Sequence, residues 1–184
     1  MSRELAPDEF GIVTVGSLQA GSKSNVIPDR AVLLLNIRAY DEGVRNRLKE
    51  AIERIVTAEC QASGSPKKPE FEYYDEFPLT ENSPEMYEKV SPTFAEHFGE
   101  KRWDGDRSTG SEDFSDLPNA FGIPYLYWIF GGFDPQTYRK GVEEGNLAKV
   151  IPGNHANNFV PDYEPTLKTG SEAMTVALLA HLGN

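Results

Sequence analysis

Apolar and polar positions alternate along "GIVTVGSLQAG", residues 11–21, which predicts a strand. After the polar loop "SKSNVIPDR" comes "AVLLLNIRAY", whose almost continuous apolar centre predicts a second strand and, with the first, an antiparallel pair. The period then changes. From Asp41, a residue suited to cap a helix, Val44, Leu48, Ile52, Ile55 and Val56 recur at helical spacing until Gly64 supplies a C-terminal stop. Such an amphipathic helix should lie across the hairpin. Beyond the proline-bearing connector "ASGSPKKPE", the segment "FEYYDEF" predicts a further strand of the same sheet. Residues 11–78 therefore read strand, strand, helix, strand.

Ser83 and Pro84 form a cap and first turn for a helix through about Phe98, which Pro92 should kink or restart. There follow "RSTGSEDFSDL", the strand-like "PYLYWIFGGF", a Gly- and charge-rich excursion from Asp134 to Gly145, and the loop "NHANNF". A closing helix after Pro165 should turn Leu167, Met174, Ala177, Leu178 and Leu182 to one apolar face. A unit boundary is expected near residues 78–84. No internal repeat or low-complexity tract interrupts the pattern.

Composition narrows the function. A chain of 184 residues with 39% hydrophobic content can build a real core. Its formal charge of -11 repels phosphate on average, so neither a nucleic acid nor an anionic membrane is the expected partner. The single cysteine, Cys60, lies in a helix-patterned run and reads as a small buried thiol. "MSRELAPDEF" lacks the basic start and apolar core of a signal peptide, and no run is long enough to span a bilayer. A cytoplasmic location is the expectation.

Candidate chemistry lies in three places. Of the three histidines, His97 and His181 fall within or at the end of helical runs, where a surface histidine is the ordinary reading. His155, in "NHANNF", sits in a loop without apolar periodicity, where ligands and catalytic groups concentrate. One imidazole does not hold a metal tightly, since zinc sites need three or four protein ligands. Glu112 and Asp113 follow "STGS", whose hydroxyls and glycine could present backbone N–H groups to an anion or cap a short helix, the capped start being the plainer reading. Asn25, in the hairpin loop, and Arg38, near the end of the second strand, could offer an amide and a planar fork to a carboxylate; a turn asparagine and a surface arginine are the plainer alternative. No Gly-rich phosphate loop, nucleophile elbow or Cys-rich zinc module is present.

The order of these blocks is more specific than any one of them. "GSLQAGSKSNVIPDRAVLLLNIR", then "STGSEDFS", then "PGNHANNF" with the closing "TGSEAMTVALLAHLG", resembles the aminoacylase and carboxypeptidase-type metallopeptidase family, in its branch of hippurate and auxin-conjugate amidohydrolases. The resemblance covers nearly the whole chain.

It implies an α+β / α/β architecture: a partial lid, or dimerisation, domain of antiparallel sheet plus helix over residues 1–78, followed by the C-terminal α/β part of a zinc-peptidase-like catalytic domain over residues 79–184. His155 matches the family's last metal ligand, Asn25 and Arg38 match lid residues that hold the substrate carboxylate or its neighbouring carbonyl, and Glu112 and Asp113 match the acid pair lining the cleft. The residues after His155, "ANN", depart from the family's usual pattern. The cofactor implied for the intact enzyme is a divalent metal (zinc, manganese, cobalt or nickel), and the substrate an N-acyl amino acid or peptide-like amide. A homodimer is implied as well. The family's earlier metal ligands and general-base glutamate match nothing in this chain, so no catalytic residue is assigned and the expected activity is that of a C-terminal portion, inactive alone. The alternative is a non-catalytic dimerisation or binding module derived from the family.

Overall fold

A computed structural model describes residues 3–183. The chain divides into two compact units, one reaching to Leu79 and including Arg107–Asp113, the other made of Thr80–Asp106 and the residues from Phe114 onward.

In the first unit, β1 (Gly11–Ala20) and β2 (Ala31–Ala39) pair antiparallel, with Gly11 opposite Ala39 and Ala20 opposite Ala31. The register shifts between Val15 and Ser17, the local irregularity of a bulge. Helix α1 (Glu42–Ala62) starts where predicted: Asp41 is extended, and its carboxylate accepts from the Val44 N–H at 2.9 Å. Its end is a Schellman turn. Gly64, at φ 66°, donates to Gln61 and Ser65 donates to Cys60, satisfying carbonyls that the helix leaves without partners.

Helix α1 packs on both strands through Val44, Leu48 and Ala51, which are buried. Ala51 takes the place that the sequence reading gave to Ile55, which is half exposed. By the wheel Ile55 lies on the same stripe as Val44, Leu48 and Ala51, so its exposure is not a matter of helix face. The flank carrying Arg45, Lys49 and Glu53 holds the segment after the helix: Lys49 bonds Glu76 at 2.8 Å and lies 4.2 Å from the Tyr73 ring centroid, and Tyr73 donates to Glu53 at 2.7 Å. The opposite flank, with Arg47 and Arg54, pairs with Glu9 and Glu4.

Residues 71–77, expected as a strand, form no ladder, and the described sheet has two strands. Side chains tether this segment to α1, but its backbone has no neighbouring strand, and a strand exists only as a partner to another.

The second unit opens with α2 (Pro84–Phe98), followed by a 3₁₀ turn at Gly99–Lys101. Pro92 interrupts neither, and α2 continues through it. "PYLYWIFGGF" likewise forms no strand. It is held on one side by an imitation of a ladder: the Asn82 amide donates to the Tyr127 carbonyl at 2.8 Å and accepts from the Tyr127 N–H at 2.6 Å, while the Ser83 N–H donates to Tyr125 at 2.9 Å. One asparagine side chain thus stands in for a peptide unit.

Short helices α3 (Asp116–Phe121), α4 (Pro135–Glu143) and α5 (Leu147–Val150) follow, so the charged excursion is helical rather than irregular. The last helix, α6 (Tyr163–Leu182), packs against α2. Ala173 is buried, and a Cβ on Gly170 would stand 2.9 Å from the Phe130 ring, while Leu167, Met174, Leu178 and Leu182 are exposed. The leucine face expected to build the core is therefore the outer one, and the close approach of Phe130 to Gly170 requires a position with no bulk.

Candidate functional site

Arg38 lies near the end of β2, half-buried, with both ends of its guanidinium engaged. Its Nε donates to Asn36 Oδ1 at 3.0 Å, and its Nη1 donates to the Thr109 carbonyl. Two residues on, the Tyr40 hydroxyl donates to the Arg107 carbonyl at 3.3 Å. The Arg107 guanidinium stands 5.4 Å from the Tyr40 ring centroid, and Phe10 stacks on that ring at 4.2 Å.

Strand periodicity accounts for the arrangement. Arg38 and Tyr40 share a face, and their acceptors, at 109 and 107, are also two apart but in the reverse order. Residues 107–109 thus run antiparallel to the end of β2, bonded through side chains instead of backbone. Arg38 and the "STGSED" block, 71 residues apart, belong to one cluster.

Glu112 and Asp113 end the piece of chain that joins the first unit. The Glu112 carboxylate accepts from the Asp113 N–H at 3.1 Å, and the Ser108 hydroxyl accepts from the Gly110 N–H at 3.1 Å. Neither acid caps α3, whose N-cap is Ser115. Asn25 is exposed in the β1–β2 loop, in the same unit as Arg38.

His155 belongs to the second unit. It is exposed inside the first of two successive turns, which Ala156 closes by donating to Gly153 at 2.9 Å; Phe159 closes the second by donating to Ala156 at 3.1 Å. Phe159 meets Phe133 edge to face at 5.4 Å, which fixes the exit of the loop. The sequence reading missed Tyr40 and Arg107. Tyr40 could have been found from its place two residues beyond Arg38; nothing local to Arg107 signals its role.

Among the described residues, no group of three or more His, Cys, Asp and Glu side chains converges to hold a metal ion. One imidazole does not make a metal centre, so the residues present do not fit a resident metal on their own, and no step is derived through one.

Comparison with known proteins gives the class. Residues 9–63 match the peptidase dimerisation domain of the M20 family. Thermostable carboxypeptidase 2 of Saccharolobus solfataricus is 30% identical over 97% of this chain and 41% of its own length. Hippurate hydrolase of Campylobacter jejuni is 31% identical over 62% of this chain and 30% of its own length. A dinuclear metal-binding M20 peptidase from Bacillus subtilis superposes with a TM-score of 0.63 at 22% identity, over 94% of this chain and 42% of that one.

The chain thus carries an M20 peptidase dimerisation domain, is homologous to carboxypeptidases and hippurate hydrolase, and has the α+β fold of an M20 peptidase neighbour. It spans about two fifths (41%) of the length of the thermostable carboxypeptidase.

Proposed function

We propose that this chain is the C-terminal portion of a metal-dependent amidohydrolase or peptidase that hydrolyses N-acyl amino acids or peptide-like amides. The observation that carries this is the alignment of 97% of the chain with a carboxypeptidase, together with an arginine fork placed at the end of a lid strand. In this reading residues up to about 78 are a partial lid and the remainder is catalytic-domain sequence. Arg38 and Asn25 bind and orient the substrate carboxylate, a planar guanidinium suiting the two oxygens of a carboxylate better than a point charge does. Glu112 and Asp113 line the same cleft.

His155 would supply one imidazole to a divalent ion, of which zinc, manganese, cobalt and nickel are the candidates, and the other ligands would have to come from outside the described residues. Such an ion, when bound, would supply Lewis-acid chemistry. The chain's own work is binding and orientation. The location in this reading is cytoplasmic; among the described residues no helix is long and apolar enough to cross a membrane.

The test is a hydrolysis assay on N-acetyl and N-benzoyl amino acids, with each candidate metal, for the chain alone and mixed with the part of thermostable carboxypeptidase 2 that precedes its aligned region. The mixture should release amino acid while the chain alone does not, and Arg38→Lys should raise KM at least tenfold. Turnover by the chain alone would refute the division of labour; an Arg38→Lys variant with unchanged KM would remove Arg38 from the clamp.

A second reading, a non-catalytic dimerising module, is favoured by the match of residues 9–63 to a dimerisation domain. It keeps self-association and dispenses with turnover in the mixture.

A further inference from the structure

We propose that Tyr40 is a positioning residue that helps hold the Thr109 carbonyl where a substrate carboxylate binds Arg38, so that carboxylate binding frees the segment carrying Glu112 and Asp113. The inference rests on the reading of Arg38 as a carboxylate clamp and adds a competitor inside the protein.

A guanidinium presents five N–H donors in a fixed fork. Nε of Arg38 is committed to Asn36, which leaves the Nη1/Nη2 pair as the face able to take both oxygens of a carboxylate. The Thr109 carbonyl sits on Nη1 of that pair. Nη1 has two N–H groups, but a carboxylate oxygen arriving at it meets the Thr109 carbonyl oxygen already there, and the two oxygens repel. The guanidinium charge assists both bonds, but the carboxylate makes two of them in parallel and brings a full opposite charge, so it wins.

What keeps the carbonyl there is more than Arg38. The Tyr40 hydroxyl bonds the Arg107 carbonyl two residues away, and its ring stacks on Phe10 and lies near the Arg107 guanidinium. With its hydroxyl and ring both engaged, Tyr40 holds 107 and, through the short chain, 109. When the carboxylate displaces Thr109, the Tyr40 bond still anchors 107, and residues 108–113 pivot about it. Each residue reaches at most about 3.6 Å, so Glu112 and Asp113, three and four residues beyond Thr109, move with the release.

This gives a sign that a merely structural tyrosine would not. Ligand binds only the fraction of molecules whose Arg38 is uncovered, and its apparent dissociation constant is the intrinsic one divided by that fraction. Removing the Tyr40 hydroxyl loosens the competitor and raises the fraction. Tyr40→Phe, which keeps the ring, should bind carboxylate about two- to tenfold more tightly, the range set by the net worth of one hydrogen bond.

The experiment titrates N-acetylglycine into the full chain, its Arg38→Ala variant and its Tyr40→Phe variant by calorimetry, and follows hydrogen exchange of residues 107–113 in the unaltered chain. Tighter binding by Tyr40→Phe, with faster exchange of 107–113 as the unaltered chain saturates, is expected. Saturable binding that Arg38→Ala abolishes, but that Tyr40→Phe leaves unchanged or weakens, overturns the positioning role and leaves the clamp standing. Unmoved exchange at saturation does the same. Absence of any Arg38-dependent binding overturns the clamp, and the positioning role with it.

Discussion

Tyr73 shows how much one side chain can report about its surroundings. Partial burial against α1 first, and its bond to Glu53 second, push the phenol up to about 12 from an ordinary value of 10.0. A group that holds its proton more tightly when folded stabilises the fold fully below the unfolded value and loses that contribution as pH rises from 10 to about 12. Ultraviolet titration should place one tyrosine near the upper value, and Glu53→Gln should bring it down. A Tyr73 that ionises at the ordinary value would mean that residues 71–77 are not held on α1. Glu76 on the same segment moves the other way, its carboxyl lowered by the hydrogen bond from Lys49.

At the scale of elements, the chain uses small residues where two pieces must approach. Gly141 is buried in α4, and a Cβ there would come within 2.8 Å of a Val150 methyl and 3.1 Å of the Leu147 Cα on α5. The second contact is backbone and cannot swing aside. Gly141→Ala should therefore separate α4 from α5, at a cost of about 1–3 kcal/mol typical of overpacking. Faster hydrogen exchange at α5 with α1 undisturbed would be the sign, whereas an unchanged pattern would mean the two helices tolerate the methyl. The Asn82 bridge belongs to this scale too, since it satisfies a polar backbone that has no second strand.

For the whole molecule the dominant fact is unburied apolar surface. Leu18 is 68% exposed on β1, and Leu33, Leu34 and Leu35 on β2 are also exposed. A two-stranded sheet with free edges is marginal alone and invites association. With a dimerisation domain over residues 9–63, the expected partner of this surface is a second copy. Light scattering should give a concentration-dependent dimer, and Leu18→Glu should shift it to monomer with the circular dichroism of the helices retained. A monomer for the unaltered chain at high concentration would exclude that assembly.

The local pattern alone determined β1, β2 and α1 with both caps, because a strand's alternation, a helix's stripe, an aspartate N-cap and a left-handed glycine are decided by residues within a few positions of one another. It did not determine whether "FEYYDEF" and "PYLYWIFGGF" become strands, since strand propensity states a willingness to pair and pairing needs a neighbour. Nor could it show which face of α6 is inward; Leu167 and Met174 follow the right period, but they are exposed, while Ala173 is buried and Gly170 lies against Phe130. The site divides in the same way. Arg38, Asn25, Glu112, Asp113 and His155 were legible as motif residues, while the bond from Arg38 to Thr109 exists only because folding closes a loop of 71 residues, a distance over which no periodicity carries information.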